Sequence, residues 1–251
     1  MSSSLTERQK IEERYHNEKY ANDKHRSHRH SRTSSCYRYY FSLIKDVEGL
    51  KILDFGCGSG WLSLQLAARG AKVWGIDISQ KLIEQANQFA SYKKLTDTIH
   101  FSKMAGEELT FSNNSFDLVL GSAILHHTDI EPALSGIQRV LKPGGKAIFI
   151  EPLNHNLLLK SWRKATPWRR SPTEKALLLR DLDYIRSVFP NSRFTYFILS
   201  SSFSAGLRTI FTNSKMLIKI DEIFEKADSY LLRTFPFLQK YCAVTVMELN
   251  K

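Results

Sequence analysis

A short apolar run that breaks into closely spaced glycines and resumes as a helical pattern constrains this chain more than any other feature. Residues 51–70 read KILDFGCGSGWLSLQLAARG. The first five residues are strand-like, and the segment after the glycines repeats apolar residues at helical spacing. Glycine permits a tight turn and a close approach of backbone to ligand. Such a loop belongs at the carboxyl edge of a parallel sheet, where open α/β folds bind their ligands.

The rest of the chain continues the alternation. Strand-like runs KILDF, AKVWGID, TIHFS, FDLVLG and KAIFIE are separated by amphipathic stretches between residues 51 and 151, the signature of a doubly wound α/β sheet. Ser79 stands as N-cap of a helix whose Leu82, Ile83, Ala86 and Phe89 share its core face. TDIE (128–131) reads as a capping box with Pro132 just inside the helix, and KPGG (142–145) turns the chain into the fifth strand. Beyond residue 151 the pattern predicts a helix near 181–189, a strand near 193–200, a helix near 215–232 and a last strand near 241–249.

A chain of 251 residues suits one α/β domain with elaborations. Residues 1–45 read as a helical extension or lid. Within it, TERQ (6–9) forms a capping box, a charged helix spans about 7–20, and YRYYFSLI (37–44) packs on the core or closes a pocket. Residues 46–251 form the main domain. In that domain Pro152, Pro167 and Pro172 break up a basic segment, about 153–180, that reads as an inserted cap.

The formal net charge of +11 is a field that attracts nucleic acid, anionic lipid or acidic small molecules alike. Much of it is local to the cap, in Lys160, Arg163, Lys164, Arg169, Arg170, Lys175 and Arg180. No apolar run is long enough to span a membrane, and the polar start MSSSLTERQK is unlike a secretory signal. Cys36, Cys57 and Cys242 fit no zinc spacing and include an odd one for pairing, as expected of a reducing, cytoplasmic setting. The run HRSHRHSR (25–32), with His25, His28 and His30, has no acid or cysteine beside it and reads as a solvated basic linker.

The glycine loop carries a charge signal. In the dinucleotide fingerprint G-x-G-x-x-G a pyrophosphate sits on the helix N-terminus. Here the third glycine comes one residue early, and Asp54 precedes the loop. A carboxylate repels a pyrophosphate and attracts an ammonium group, so the ligand is cationic at this end. A second acid, Asp77, closes the second strand about 20 residues further on, where such folds accept hydrogen bonds from ribose hydroxyls.

Read in order, ILDFGCGSG, GIDIS, EELTFSNNSFDLV, ILHHTD and RVLKPGGKAIFIEP resemble the class I S-adenosylmethionine-dependent methyltransferases. The similar branch is the small-molecule one related to the ubiquinone/menaquinone-biosynthesis enzymes. The resemblance covers roughly residues 51–152. It implies a Rossmann-like, doubly wound seven-stranded sheet with its last strand antiparallel, and S-adenosyl-L-methionine as cofactor. It also implies that Asp54 and the backbone of Gly56, Cys57, Gly58 and Gly60 hold the methionine moiety, Asp77 the ribose, and Ile78 a flank of the adenine. Gly121, at the end of the fourth strand, belongs to the same set. Relatives often carry an acid after the third strand in a pattern like M-D-A-E. This chain has MAGE, with Ala105 in the acid's place, so either the backbone of Met104, Ala105 and Gly106 serves the adenine or the adenine is held less selectively.

Methyl transfer is an in-line displacement, so alignment and desolvation of the acceptor supply much of the catalysis. A neutral alcohol or a protonated amine must also lose a proton, a task suited to histidine. His126 and His127, between the fourth strand and the next helix, are the candidate catalytic residues. Tyr15, Tyr20, Tyr37 and Tyr40 are candidates to cover the methyl donor or meet the acceptor. His155, Arg163, Arg169 and Arg170 are candidates for an anionic group on it. No metal is expected, because Ser122, Ala123, Ile124 and Leu125 stand where some quinone-type relatives carry acids.

The expected reaction is methylation of oxygen, nitrogen or carbon in a small, partly apolar metabolite. Against a dinucleotide oxidoreductase stand the early glycine and Asp54. Against a nucleic-acid methyltransferase or RNA-binding module stands the absence of an Asn/Asp-Pro-Pro-aromatic motif after the fourth strand. The remaining alternative is a non-catalytic, partner-binding relative.

Overall fold

The computed structural model describes residues 5–19, 34–169, 171–200 and 215–251. Two helices, α1 (Glu7–Lys19) and α2 (Ser35–Ser42), precede the sheet. The alternating unit follows as β1 (Lys51–Phe55), α3 (Trp61–Ala67), β2 (Lys72–Asp77), α4 (Gln80–Tyr92), β3 (Ile99–Lys103) and β4 (Phe116–Ser122). A single 3-10 turn, Leu125–His127, leads into α5 (Ile130–Val140) and β5 (Leu141–Pro152). The remaining elements are α6 (Leu157–Ala165), α7 (Leu179–Val188), β6 (Arg193–Phe197), α8 (Lys215–Thr234) and β7 (Val244–Asn250). Short 3-10 turns follow α6 and α8, at Pro167–Arg169 and Pro236–Tyr241.

The seven strands lie in the order β3-β2-β1-β4-β5-β7-β6. β7 runs antiparallel to both β5 and β6, and the pairs among β1 to β5 are parallel. The chain leaves β1 toward β2 and β3, then returns to build β4 on the other side. The crevice between the β1 and β4 carboxyl ends is therefore the switch point of the sheet, where open α/β folds hold ligands. The glycine loop follows β1, and the His126–His127 turn follows β4.

Both faces of the sheet are covered, so the central strands are buried almost throughout. One face packs Leu53, Phe55, Phe149, Leu134 and Ile137. The other packs Ile52, Val73, Leu120, Ile148 and, from α2, Tyr40. Burying each such large apolar side chain is worth roughly 1.5–3 kcal/mol relative to exposure, which fixes the sheet that carries the crevice.

Local signals explain the helix starts and some misreadings. Thr6 and Gln9 form the expected capping box, the Gln9 side chain accepting from the Thr6 amide at 2.8 Å and the Gln9 amide donating to Thr6 Oγ1 at 3.3 Å. Ser79 caps α4 by accepting from the Leu82 amide at 3.2 Å. TDIE is not a capping box: Asp129 is the N-cap of α5, and the Thr128 hydroxyl donates to the Leu125 carbonyl instead. Phe89 does not join the core; it is exposed, and Ala90 fills that face of α4. β6 stops at Phe197, where Ile198 takes a left-handed φ of 63°, and β7 begins at Val244 because Pro236–Tyr241 forms a turn. The run 25–32 lies outside the described residues.

Candidate active site

The glycine loop is shaped by packing from below. Gly60, the N-cap of α3, has a φ of +80°, and a Cβ there would come within 2.6 Å of the Phe101 ring. A Cβ on Gly56 (φ +75°) would strike Ile124 at 2.4 Å. At Gly58 a Cβ would meet nothing within 4 Å, so this glycine borders open space.

The amides of the loop are already committed. Those of Gly56 and Cys57 both donate to the Ile76 carbonyl at 2.9 Å, and that of Gly60 donates to the Cys57 carbonyl. The Gly58 amide donates to Asp77 Oδ2 at 2.9 Å. These four donors are not available to a pyrophosphate, which agrees with the cationic ligand inferred from Asp54. The Cys57 thiol is raised well above its ordinary value, by burial first and then by Asp54 and Asp77, so Cys57 serves the loop through its backbone.

Asp77 sits at the end of β2 with both oxygens turned to the loop region, Oδ1 accepting from the Ser79 amide at 2.9 Å. It lines a crevice with Phe55, Gly56, Ile76 and Ile78. Met104, Gly106, Glu107, Ile124, His127 and Thr128 continue the lining, and Gln9, Glu12 and His16 of α1 complete it as a roof. Asp77, Gly56, Ile78, Gly106 and His127 thus line one crevice.

Other expected residues stand back from the wall. Asp54 is buried and accepts from the Ser63 hydroxyl at 2.6 Å. Burial pushes its carboxyl up to about 6, against the Ser63 hydrogen bonds. Ala105 is buried and turns the chain, its carbonyl accepting from the Glu108 amide. Gly121 is a packing residue rather than part of the crevice wall: a Cβ would lie 2.3 Å from the Phe149 ring.

The two histidines have different environments. His126 is buried, its Nδ1 2.7 Å from Glu151 Oε2, while Glu151 Oε1 accepts from the Ile124 and Leu125 amides at 2.8 Å. It shapes the turn and is absent from the crevice lining. His127 lies in the wall, with Nδ1 3.1 Å from Glu12 Oε2. Burial holds His127 below its ordinary value, although Glu12 opposes that shift. Burial alone would raise the Glu12 carboxyl, but hydrogen bonds from His127, His16 and Thr173 outweigh it and hold Glu12 well below the usual range. A neutral imidazole beside a carboxylate satisfies both shifts.

Of the candidate acceptor contacts, Tyr37 bonds Ser122 at the end of β4, hydroxyl to hydroxyl at 3.0 Å. Tyr40 is not exposed to any acceptor; it is fully buried in the core, and its hydroxyl has no hydrogen-bond partner among the described residues. Arg163 pairs with Glu174, and His155 is half-buried with its Nε2 unpartnered. Tyr15 packs edge-on against His16. Tyr20, Arg170 and the side chain of Arg169 lie outside the described residues.

Sequence reasoning missed the acids. Glu12, Glu107, Glu151 and Glu174 all meet around the His126–His127 turn from distant positions, and no local spacing marks them. Two sets of ligand atoms, Glu12–His16–His127 and His126–His127–Glu174, lie within 4.8 Å of one another and have the donor types a divalent cation uses.

Comparison with known proteins places this geometry. Residues 53–149 match a family model described as a methyltransferase domain. The ubiquinone biosynthesis O-methyltransferase of Rhizobium etli is 33% identical over 114 residues, 45% of each chain. That of Coxiella burnetii is 35% identical over 111 residues, 44% of this chain and 46% of its own. The chain thus matches less than half the length of these curated relatives. Among solved structures, geranyl diphosphate C-methyltransferase from Streptomyces coelicolor superposes with a TM-score of 0.65 at 14% identity, over 99% of this chain and 98% of that one. Haemonchus contortus phosphoethanolamine N-methyltransferase 2, in complex with S-adenosyl-L-methionine, gives 0.61 at 19% identity over 86% and 52%. At these identities the structural likeness speaks to the fold.

Proposed function

We propose that this chain, whose residues 53–149 match a methyltransferase domain, is a class I S-adenosylmethionine-dependent methyltransferase that methylates oxygen, nitrogen or carbon of a small, partly apolar acceptor. The observation that carries the reading is one crevice at the switch point, walled by Asp77 on one side and His127 on the other.

The residues present fit the cofactor. Gly58 borders open space, and the amides of Gly56, Cys57, Gly58 and Gly60 are committed in a way that disfavours a pyrophosphate. Asp77 would accept from the ribose hydroxyls, Ile78 and Met104 would flank the adenine, and Asp54 would balance the methionine ammonium. When bound, S-adenosyl-L-methionine supplies an electrophilic methyl group. His127, neutral and with Nδ1 held by Glu12, is placed to accept the acceptor's proton at Nε2. The apolar walls at Phe55, Ile76 and Ile124 and the α1 roof exclude water.

The roof over the crevice supports a small molecule over a nucleic acid. Free thiols at Cys36, Cys57 and Cys242 support a cytoplasmic setting. Among the described residues no helix is long and apolar enough to cross a membrane. We regard residues 1–45 as a helical extension or lid and residues 46–251 as the methyltransferase domain, with a cap inserted at about 153–180. The test is transfer of labelled methyl groups from the cofactor into a cell extract: a labelled small product is expected, and label confined to RNA, or no label at all, would sink the reading.

A further inference from the structure

We propose that Glu12 is the positioning residue that orients His127 for proton removal, and that it does so only while α1 lies over the crevice. This deepens the function proposed above and rests on it.

Glu12 is 3% exposed in the middle of a helix made almost wholly of polar residues. Burying a carboxylate costs several kcal/mol unless it is paired and hydrogen-bonded, so its place needs partners rather than packing. It has them on three parts of the fold. Oε2 lies 3.1 Å from His127 Nδ1 and 3.5 Å from His16 Nε2. Oε1 accepts from the Ser171 hydroxyl at 2.8 Å and from the Thr173 hydroxyl. Those hydroxyls aim the carboxylate; the carboxylate in turn fixes the imidazole. With Nδ1–H donated to Glu12, the lone pair of His127 is left on Nε2.

His127 does not bring this carboxylate from its own side of the site. The acid that accompanies the neighbouring His126 is Glu151, built into β5. The acid for His127 arrives on α1, which polar contacts tie to the sheet's carboxyl edge: Arg8 pairs with Glu107 and Asp129, Lys103 with Glu13 at 2.6 Å, and Asn17 accepts from Ser79 at 2.7 Å. Such a helix detaches without exposing an apolar face. When it lifts to admit or release ligand, Glu12 leaves with it, and proton removal waits for closure.

The charged and titratable groups facing His127 are Glu12 and His16 from α1, His126 from the same turn, and Glu174 from the segment after α6. Of these, Glu12 raises the imidazole's affinity for a proton, whereas His16 and His126 lower it.

The experiment is nitrogen-15 NMR of histidine-labelled full-length protein, with and without S-adenosylhomocysteine, on the wild type and Glu12→Gln. We expect wild-type His127 as the Nδ1–H tautomer and a loss of that preference in Glu12→Gln. Labelled-methyl transfer into the same extract should fall on the order of 10²-fold or more, while S-adenosylhomocysteine affinity changes less than about threefold. An Nε2–H tautomer in the wild type, an unchanged tautomer preference in the variant, or full transfer by the variant would each overturn the proposal. So would activity lost to a chelator and restored by zinc, since the three atoms would then be metal ligands. Should Glu12→Gln fail to fold, the wild-type tautomer still decides. If the wild type binds no S-adenosylhomocysteine, the proposed function fails, and the tautomer still judges Glu12 by itself.

Discussion

Glu151 takes the ring of His126 at 2.7 Å on one carboxylate oxygen and the amides of Ile124 and Leu125 at 2.8 Å on the other. One fully buried side chain thereby fixes the turn that presents His127. Each buried donor left unsatisfied costs about 1–3 kcal/mol, so Glu151→Ala should lower stability by roughly 2 kcal/mol or more, read by urea denaturation. Glu151→Gln, which keeps an acceptor, should cost less. A loss under about 0.5 kcal/mol in the alanine variant, the level of ordinary surface changes, would show that the turn holds without it.

The same geometry separates the two histidines. His127→Ala should reduce labelled-methyl transfer by about 10²–10⁴-fold, the usual worth of a positioned base, and leave S-adenosylhomocysteine affinity nearly intact. His126→Ala should instead lower the unfolding midpoint. Full transfer by His127→Ala would remove it from the chemistry.

Asp77 joins the loop to the proposed ribose site. Asp77→Ala should weaken S-adenosylhomocysteine binding by about 1–3 kcal/mol, measured by calorimetry. Because Asp77 also accepts from Gly58 and Ser79, Asp77→Asn serves as the milder control. Unchanged affinity in both variants would count against the ribose assignment.

Asp54 gives binding a pH dependence whose sign follows from its burial. Its folded value of about 6 lies above the ordinary 3.8, so its contribution to ligand-free stability is full below about 3.8 and is lost as pH rises through about 6. A cationic group held beside it favours the ionised form. Affinity for S-adenosylhomocysteine should therefore climb with pH through about 6 and level off above it, with proton release near the midpoint. Flat affinity from about pH 5 to pH 8 would show that Asp54 does not sense the ligand's charge.

Periodicity and caps made most of the fold legible in the sequence. The strand–glycine–helix unit, Ser79 and the TERQ box act locally, and each stands where its spacing placed it. TDIE misled because the preceding turn uses Thr128 to close on Leu125, a contact set by the β4 end rather than by the helix. Phe89 misled because helical spacing does not say how wide the buried stripe is. Of the site, Asp77, Ile78, Gly106 and His127 were legible because glycines and strand ends mark the ligand edge. Glu12, Glu107 and Glu151 were not. Their meeting at one turn is a product of tertiary folding, and a lone glutamate on a charged helix looks like a solvated one.

The most direct test of the central claim is calorimetry of the full chain with S-adenosylhomocysteine and, separately, with a nicotinamide dinucleotide. Stoichiometric binding of S-adenosylhomocysteine with no heat from the dinucleotide is the expected result. Tight binding of the dinucleotide with none of S-adenosylhomocysteine would contradict it.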